Sequence, residues 1–103
     1  MVIEESRGQV IVSAVTPWEI AVKLDRGRLS LGAPVSVFYR TMLAELRATE
    51  LPITAKHGIR AGSLPAIHRD PFDRMLIAQA LEEDVPLLTN DRNIARYDVP
   101  VVW

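Results

Sequence analysis

Three acidic residues of this chain lie near predicted helix starts or strand ends, which is a pattern that can bind a metal ion. They are Glu19, Asp73 and Asp91. Carboxylates that converge on one point repel one another, and a divalent cation removes that penalty. An oxygen-rich site of this kind selects Mg²⁺ or Mn²⁺ over softer metals. Such a metal activates water and stabilises the charge that develops on a phosphodiester. The spacing therefore predicts a metal site with chemistry directed at phosphate esters.

Two of these acids lie in the same local pattern: a capping residue, a proline, an aromatic residue and then the acid. The two segments are Thr16 to Glu19 and Asp70 to Asp73. Asp70 is a good helix N-cap, and the proline after it suits the first helical position. Taken singly, each pattern is explained by helix capping, since Thr-x-x-Glu is a capping box and acids favour a helix start. Because the same pattern occurs twice, we favour the metal site for the pair. Asp91 alone is explained as a turn residue.

The elements around these acids alternate between strand and helix. A run of valine and isoleucine predicts a buried strand over residues 9–14, and Pro17 opens a helix that stops near Gly27. The basic residues near that stop are interpreted as a solvated helix end in preference to an RNA contact. A helix is predicted from Pro34 to about Thr49, and its apolar residues at helical spacing predict a core stripe of Val35, Phe38, Met42 and Leu46. An edge strand over 51–54 and a short helix near 55–61 follow, with His57 of this helix predicted at the surface. The last predicted elements are a helix from Pro71 to about Asp84 and strands over 85–89 and 99–103.

Composition limits the class of protein. The chain has 103 residues, enough for one small domain, and 49% of them are hydrophobic, so it can support a core. The net charge of −1 does not indicate nucleic-acid or membrane binding through bulk charge. The sequence has no cysteine, which excludes thiolate metal sites and disulfides and fits a cytoplasmic location. It has no apolar run long enough to span a membrane.

Alternating strands and helices predict an α/β fold with a mainly parallel sheet. In such folds, sites form outside the carboxyl ends of the strands. Glu19, Asp73 and Asp91 are all expected at that edge. Thr16 or Thr89 could orient a water molecule bound to the metal.

Four segments, in order along almost the whole chain, resemble a PIN domain of the VapC toxin type. They are Ser13 to Ile20, His68 to Arg74, Leu88 to Asp91 and Tyr97 to Trp103. The resemblance implies a three-layer PIN-like sandwich over residues 1–103 and a Mg²⁺- or Mn²⁺-dependent endoribonuclease. It also implies an RNA substrate and a cognate antitoxin that holds the enzyme inactive, and a second copy of the chain is a further candidate partner. The catalytic and metal-binding acids of the family carry over to Glu19, Asp73 and Asp91, and Asp70 stays a helix cap.

The chain departs from the family at its start. The family begins with a strand that ends in Asp-Thr or Asp-Ser, and this Asp is its first metal ligand. Here residues 4–8 resemble the end of a helix, so the first, central strand and its helix, about 30 residues, are expected to be missing. The strands on either side would then have unpaired edges, and metal affinity and activity would fall. The alternatives are an upstream start codon, a decayed gene, or a short form that closes the gap.

Three functions remain open from the sequence. The first is the metal-dependent ribonuclease of a toxin–antitoxin pair. The second is a non-catalytic PIN-like module that only binds an antitoxin or another protein, which the missing Asp favours. The third is a generic nucleotide binder, and it lacks the glycine-rich turn that this function needs.

Overall fold

The computed structural model describes residues 2–4, 10–27, 32–67, 70–88, 97 and 101–102 of the chain. These residues form an α/β fold of five strands and four helices. The elements are β1 (Val2–Glu4), β2 (Val10–Ser13), α1 (Val15–Asp25), α2 (Val35–Leu46), β3 (Thr49–Leu51), α3 (Ala55–Ser63), α4 (Pro71–Glu83), β4 (Leu87–Leu88) and β5 (Val101–Val102).

The strands make one sheet in the order β3-β2-β1-β4-β5. Strands β2 and β3 are parallel, as are β4 and β5, whereas β1 runs antiparallel to both of its neighbours. Four strands therefore share one direction, which confirms the mainly parallel α/β sheet. The strand predicted over 51–54 was expected at an edge because it would contain Pro52. The observed edge strand is β3, which ends at Leu51 and leaves Pro52 outside the strand.

Strand β1 occupies the middle of the sheet, between β2 and β4, where the family's first strand was expected and judged missing. The expected helix end at residues 4–8 is wrong for Glu4, which belongs to this strand, and residues 5–8 lie outside the described part of the chain. Two flanking strands with open edges offer pairing on both sides, and β-branched Val2 and Ile3 suit a strand. Ile3 accordingly pairs with Ile11 on one side and Leu87 on the other.

The direction of β1 decides at which edge of the sheet Glu4 lies. Because it is antiparallel, Glu4 pairs with Val10 at the beginning of β2. Glu19 follows the opposite, carboxyl end of β2. Glu4 therefore lies at the wrong edge of the sheet to replace the family's first Asp.

Helix α2 ends earlier than its sequence predicts. It stops at Leu46, since Arg47 adopts a left-handed conformation with φ of 51°. The N–H of Ala48 then donates to the carbonyl of Leu43, as in a Schellman motif. The chain turns at once into β3, two residues before the predicted strand. The residue that stops the helix is an arginine rather than a glycine, so no ordinary stop signal is present in the sequence.

The core lies between the sheet and α4. Residues 76–80 of α4 are all buried, and this helix packs against both α3 and α1. The main cluster of buried residues is Val15, Leu76, Ile77, Ala80, Val85, Leu87 and Tyr97. None of the helices in the described ranges is long and apolar enough to cross a membrane.

The apolar stripe predicted for α2 is not part of this core. Phe38 and Leu46 keep 38% and 43% of their surface exposed, and the buried residue of the helix is Tyr39. The spacing of the stripe is helical as expected. However, within the described part of the chain α2 packs mainly against α1, and the stripe is only partly covered. Val35 and Met42 are half-buried, whereas Phe38 and Leu46 are exposed.

Candidate active site

The start of α1 differs from the predicted capping box. The helix begins at Val15, two residues earlier than expected, and its cap residue Ala14 makes no side-chain hydrogen bond. Instead the Ser13 hydroxyl accepts a hydrogen bond at 3.0 Å from the Val15 N–H, the first N–H of the helix. Glu19 therefore lies in the second turn of α1. The hydroxyl oxygen of Thr16 is buried without a hydrogen-bond partner among the described residues.

The start of α4 follows the prediction closely. One Asp70 carboxylate oxygen accepts from the N–H groups of Phe72 and Asp73, at 2.8 and 3.4 Å. Pro71 is the first helical residue, and Asp73 lies in the first turn with its side chain half-buried. The cap fixes the backbone of this turn, so the position of the Asp73 carboxylate depends on Asp70.

An aromatic contact joins the two helix starts. The rings of Trp18 and Phe72 lie 4.6 Å apart between centroids and meet edge to face at 79°. Each ring immediately precedes one of the predicted acids, Glu19 or Asp73. A cleft of about 600 Å³ opens beside this contact, and the residues that line it are Trp18, Glu19, Val22, Lys23, Arg26, Asp70, Pro71 and Phe72. The structure thus brings together the two segments that the sequence analysis paired.

Glu19 has a cationic partner within the same cleft. The Lys23 ammonium lies 3.2 Å from a Glu19 carboxylate oxygen, one helical turn further along α1. The lysine is 51% exposed and the glutamate 23% exposed. Ion pairs with this spacing on a helix surface contribute only about 0.3–0.5 kcal/mol, so a divalent cation can displace the ammonium.

The third predicted acid, Asp91, and also Thr89, lie outside the described residues. Within the described ranges no group of three acidic, histidine or cysteine side chains is placed to bind a metal. The described part of the site supplies two acids, Glu19 and Asp73, on neighbouring helices. The three-acid metal site therefore stays a prediction.

A buried polar network lies behind these helix starts, and no sequence pattern predicted it. Gln79 is fully buried on α4, and its side-chain carbonyl accepts a hydrogen bond from the Ser13 hydroxyl. Its amide group donates to the Pro52 carbonyl at 3.3 Å and lies 3.4 Å from His57 Nδ1. The network therefore connects the end of β2, which leads into α1, with the middle of α4. It holds in register the two helices that carry Glu19 and Asp73.

The prediction of a surface position for His57 is wrong. The side chain is 1% exposed and serves as the third residue of a capping box at the start of α3. Its Nδ1 accepts from the Thr54 N–H at 3.0 Å, so Nε2 carries the proton and donates to the Glu83 carboxylate at 2.8 Å. The Thr54-x-x-His57 spacing was the available signal, but a histidine is a rarer third residue than Glu or Gln. The second histidine, His68, lies outside the described residues.

Arg74, within the motif that carries the family resemblance, holds the segment before α4 in place. Its guanidinium donates to the main-chain carbonyls of Ala61, Leu64 and Pro65, at 2.7 to 3.0 Å. These carbonyls lie in the last turn of α3 and just after it. The arginine therefore fixes the end of α3 against the beginning of α4, where Asp70 and Asp73 lie.

Comparison with known proteins agrees with this arrangement. The PIN domain family profile matches residues 2–100. Ribonuclease VapC22 of Mycobacterium tuberculosis (strain ATCC 25618 / H37Rv) is 30% identical over 103 residues, and the match covers 96% of this chain and 78% of that protein. No solved structure gives a significant match. With helix starts, sheet and motif segments in the expected order, the chain belongs to the PIN domain family and is of the VapC type.

Proposed function

We propose that this chain is a Mg²⁺- or Mn²⁺-dependent endoribonuclease, the toxin of a bacterial toxin–antitoxin pair, with its metal held by Glu19, Asp73 and Asp91. Membership of the PIN family supports the reaction class. The observation that carries the proposal is the contact between Trp18 and Phe72, because it places the first turn of α4, which contains Asp73, beside the cleft that Glu19 lines.

The donor chemistry of the described residues suits these metals. Glu19 and Asp73 offer carboxylate oxygens, the ligands that Mg²⁺ and Mn²⁺ prefer, and both side chains are half-buried. The bound metal would supply an activated water and would neutralise charge that develops on the phosphodiester. In its absence Lys23 neutralises Glu19. Since Glu4 lies at the opposite edge of the sheet, no acid of β1 adds to the site, and we expect weaker metal binding than in a PIN domain with the additional Asp.

The test is metal-dependent cleavage of single-stranded RNA by the purified chain. We expect cleavage with excess Mn²⁺ and none with a chelator. Glu19→Gln and Asp73→Asn should each abolish it, because each removes a negative ligand without a large change in shape. Glu45→Gln, on an exposed position of α2, is the matched control and should cleave normally. RNA cleavage retained by Asp73→Asn would refute the assignment.

The second candidate function, a non-catalytic module that binds an antitoxin, is favoured by the exposed apolar residues of α2. Val37, Phe38 and Leu46 keep 38–43% of their surface exposed. An amphipathic antitoxin helix would cover such a surface. Under this alternative the chain co-elutes with a purified antitoxin, a Phe38→Ser variant loses the complex, and no RNA is cleaved with any metal. An antitoxin that fails to co-elute with the wild-type chain argues against the module.

A further inference from the structure

The cleft beside Glu19 contains an aromatic and a cationic side chain that the metal site does not use. We propose that this cleft is a nucleotide-binding subsite for single-stranded RNA, in which Trp18 stacks on a base and Arg26 binds a phosphate of the same strand. The inference rests on the proposed ribonuclease function, since it states how the substrate strand is held beside the acids.

Trp18 has the properties of a stacking platform. It is 51% exposed, which is unusual for the largest apolar side chain. Its edge-to-face contact with Phe72 holds the ring in one orientation, so little side-chain freedom remains to be lost on binding. Stacking of a base on an aromatic ring is tolerant of sequence, because every base has a π-face.

Arg26 supplies a cation at the far end of the same helix face. Trp18, Val22 and Arg26 recur at intervals of four residues, so they lie on one side of α1, about 12 Å from first to last along its axis. Arg26 is exposed and makes no ion pair or side-chain hydrogen bond with any residue that the structure describes. An exposed guanidinium of this kind can bind a phosphate through two parallel hydrogen bonds.

The acids that line the cleft do not oppose an anionic strand. The Glu19 carboxylate is paired with Lys23, and Asp70 accepts from the N–H groups of the first turn of α4. Both negative charges are thus compensated from within the protein. The sequence alone favoured a solvated helix end for the basic residues of α1. Their position around a cleft with an exposed tryptophan changes that preference.

The subsite can be tested without catalysis, in the presence of a chelator. The probe is a dye-labelled single-stranded oligoribonucleotide of mixed sequence. The chain has two tryptophans, so a Trp103→Phe background leaves Trp18 as the only one. We expect the oligonucleotide to quench Trp18 fluorescence on binding. Absence of quenching, with binding seen by anisotropy of the dye, would overturn the stacking contact.

Variants separate the two contacts. Trp18→Ala should weaken binding about 5- to 150-fold, and Trp18→Phe should restore most of the loss. Arg26→Gln should reduce the slope of log affinity against log salt by about 0.7, the value for one phosphate contact with a single strand, whereas Trp18→Ala should leave the slope unchanged. Circular dichroism confirms that each variant is folded, and if Trp18→Ala is not, the salt slope of the exposed Arg26 position still decides the proposal.

The matched controls lie on α2, away from the cleft. Phe38→Ala removes another partly exposed aromatic side chain, and Arg40→Gln removes another exposed arginine. Both should bind RNA with wild-type affinity and salt slope. An equal loss in the control and cleft variants would overturn the subsite and indicate unspecific attraction.

Different results would refute the nucleotide subsite and the ribonuclease function. If Mn²⁺-dependent cleavage occurs and Trp18→Ala has an unchanged KM, the subsite is refuted while the ribonuclease stands. If RNA binds through Trp18 and Arg26 but no metal supports cleavage, the subsite stands and the ribonuclease is refuted. RNA that does not bind the metal-free chain overturns the subsite.

Discussion

Replacing Gln79 by methionine tests whether the buried polar network holds α1 and α4 together. Methionine has nearly the shape of glutamine but lacks its hydrogen-bonding groups. In the wild-type protein the Gln79 side chain accepts from the Ser13 hydroxyl and donates to the Pro52 carbonyl, and it is fully buried. The variant therefore leaves the Ser13 O–H without its acceptor, while solvent can still reach the exposed Pro52.

The expected magnitude follows from that single buried donor. A buried polar group that loses its partner costs about 1–3 kcal/mol, so we expect the free energy of unfolding to fall by about 2 kcal/mol. For a chain of this size such a loss lowers Tm by about 8–16 °C. The same loss is a substantial fraction of the total stability of about 5–15 kcal/mol that a small domain has.

The assay is urea denaturation followed by circular dichroism, in a double-mutant cycle with Ser13→Ala. That variant alone removes the donor to Gln79 and the acceptor of the Val15 N–H, and we expect a loss of about 2 kcal/mol or more. The double variant removes both partners and should be more stable than the sum of the two losses predicts, by at least about 1 kcal/mol. Additive losses, or a Gln79→Met variant as stable as the wild type, would refute the role of the network.

Three further predictions concern stability. Arg47→Gly should raise the free energy of unfolding by about 1 kcal/mol in urea denaturation, because glycine accepts the left-handed conformation at this position without strain. Arg40→Gly, in the interior of α2, is the control and should lower the free energy of unfolding by about 1 kcal/mol. Arg74→Met should lower the free energy of unfolding by about 2–4 kcal/mol through the loss of three carbonyl contacts. Arg60→Met, which among the described residues breaks an exposed pair with Glu82, should change it by less than about 1 kcal/mol, and equal losses would contradict the role of Arg74 in holding α3 against α4. Burial, together with the hydrogen bond to the Glu50 carboxylate, raises the pKa of Tyr39 above its ordinary value of 10.0. The neutral Tyr39 hydroxyl therefore contributes fully to the free energy of unfolding below about pH 10, and this contribution is lost as the pH rises towards the folded-state pKa. Relative to Tyr39→Phe, the wild type should therefore lose stability as the pH rises above about 10, and a constant difference between about pH 10 and about pH 12 would contradict the raised pKa.

Local patterns with a strong chemical signal could be predicted from the sequence. Asp70 and Pro71 start α4 as expected, since a capping carboxylate followed by proline has few other uses. The parallel strands and the order of elements also followed from hydrophobic runs and from the family resemblance. The motif segments placed Glu19 and Asp73 on neighbouring helices, although their roles in catalysis remain predictions.

Features that depend on tertiary partners could not be predicted. The Ser13 hydroxyl takes over the first N–H of α1, so the helix begins before the Thr16 pattern that indicated its start. His57 is buried because Glu83 and Thr54 satisfy both of its ring nitrogens, and these contacts are distant in sequence or depend on an unusual capping residue.

The central strand β1 and the packing of α2 also depend on tertiary partners that local sequence does not reveal. The segment Val2–Glu4 is too short for its two β-branched residues to predict a strand, and its pairing follows from the open edges of β2 and β4. The helical stripe of α2 identified an apolar face correctly. A stripe of this kind does not reveal whether the chain itself supplies the surface that covers it.

A thermal melt with and without excess Mn²⁺ tests the central claim, that Glu19 and Asp73 belong to one metal site, most directly. A ligand at a hundredfold excess over its dissociation constant stabilises the folded state by about 2.7 kcal/mol, which should raise Tm by about 10 °C or more. We expect this rise for the wild type and the Glu45→Gln control, and its loss in both Glu19→Gln and Asp73→Asn. A melt that Mn²⁺ does not shift, or an equal shift in the two acid variants, would contradict the metal site.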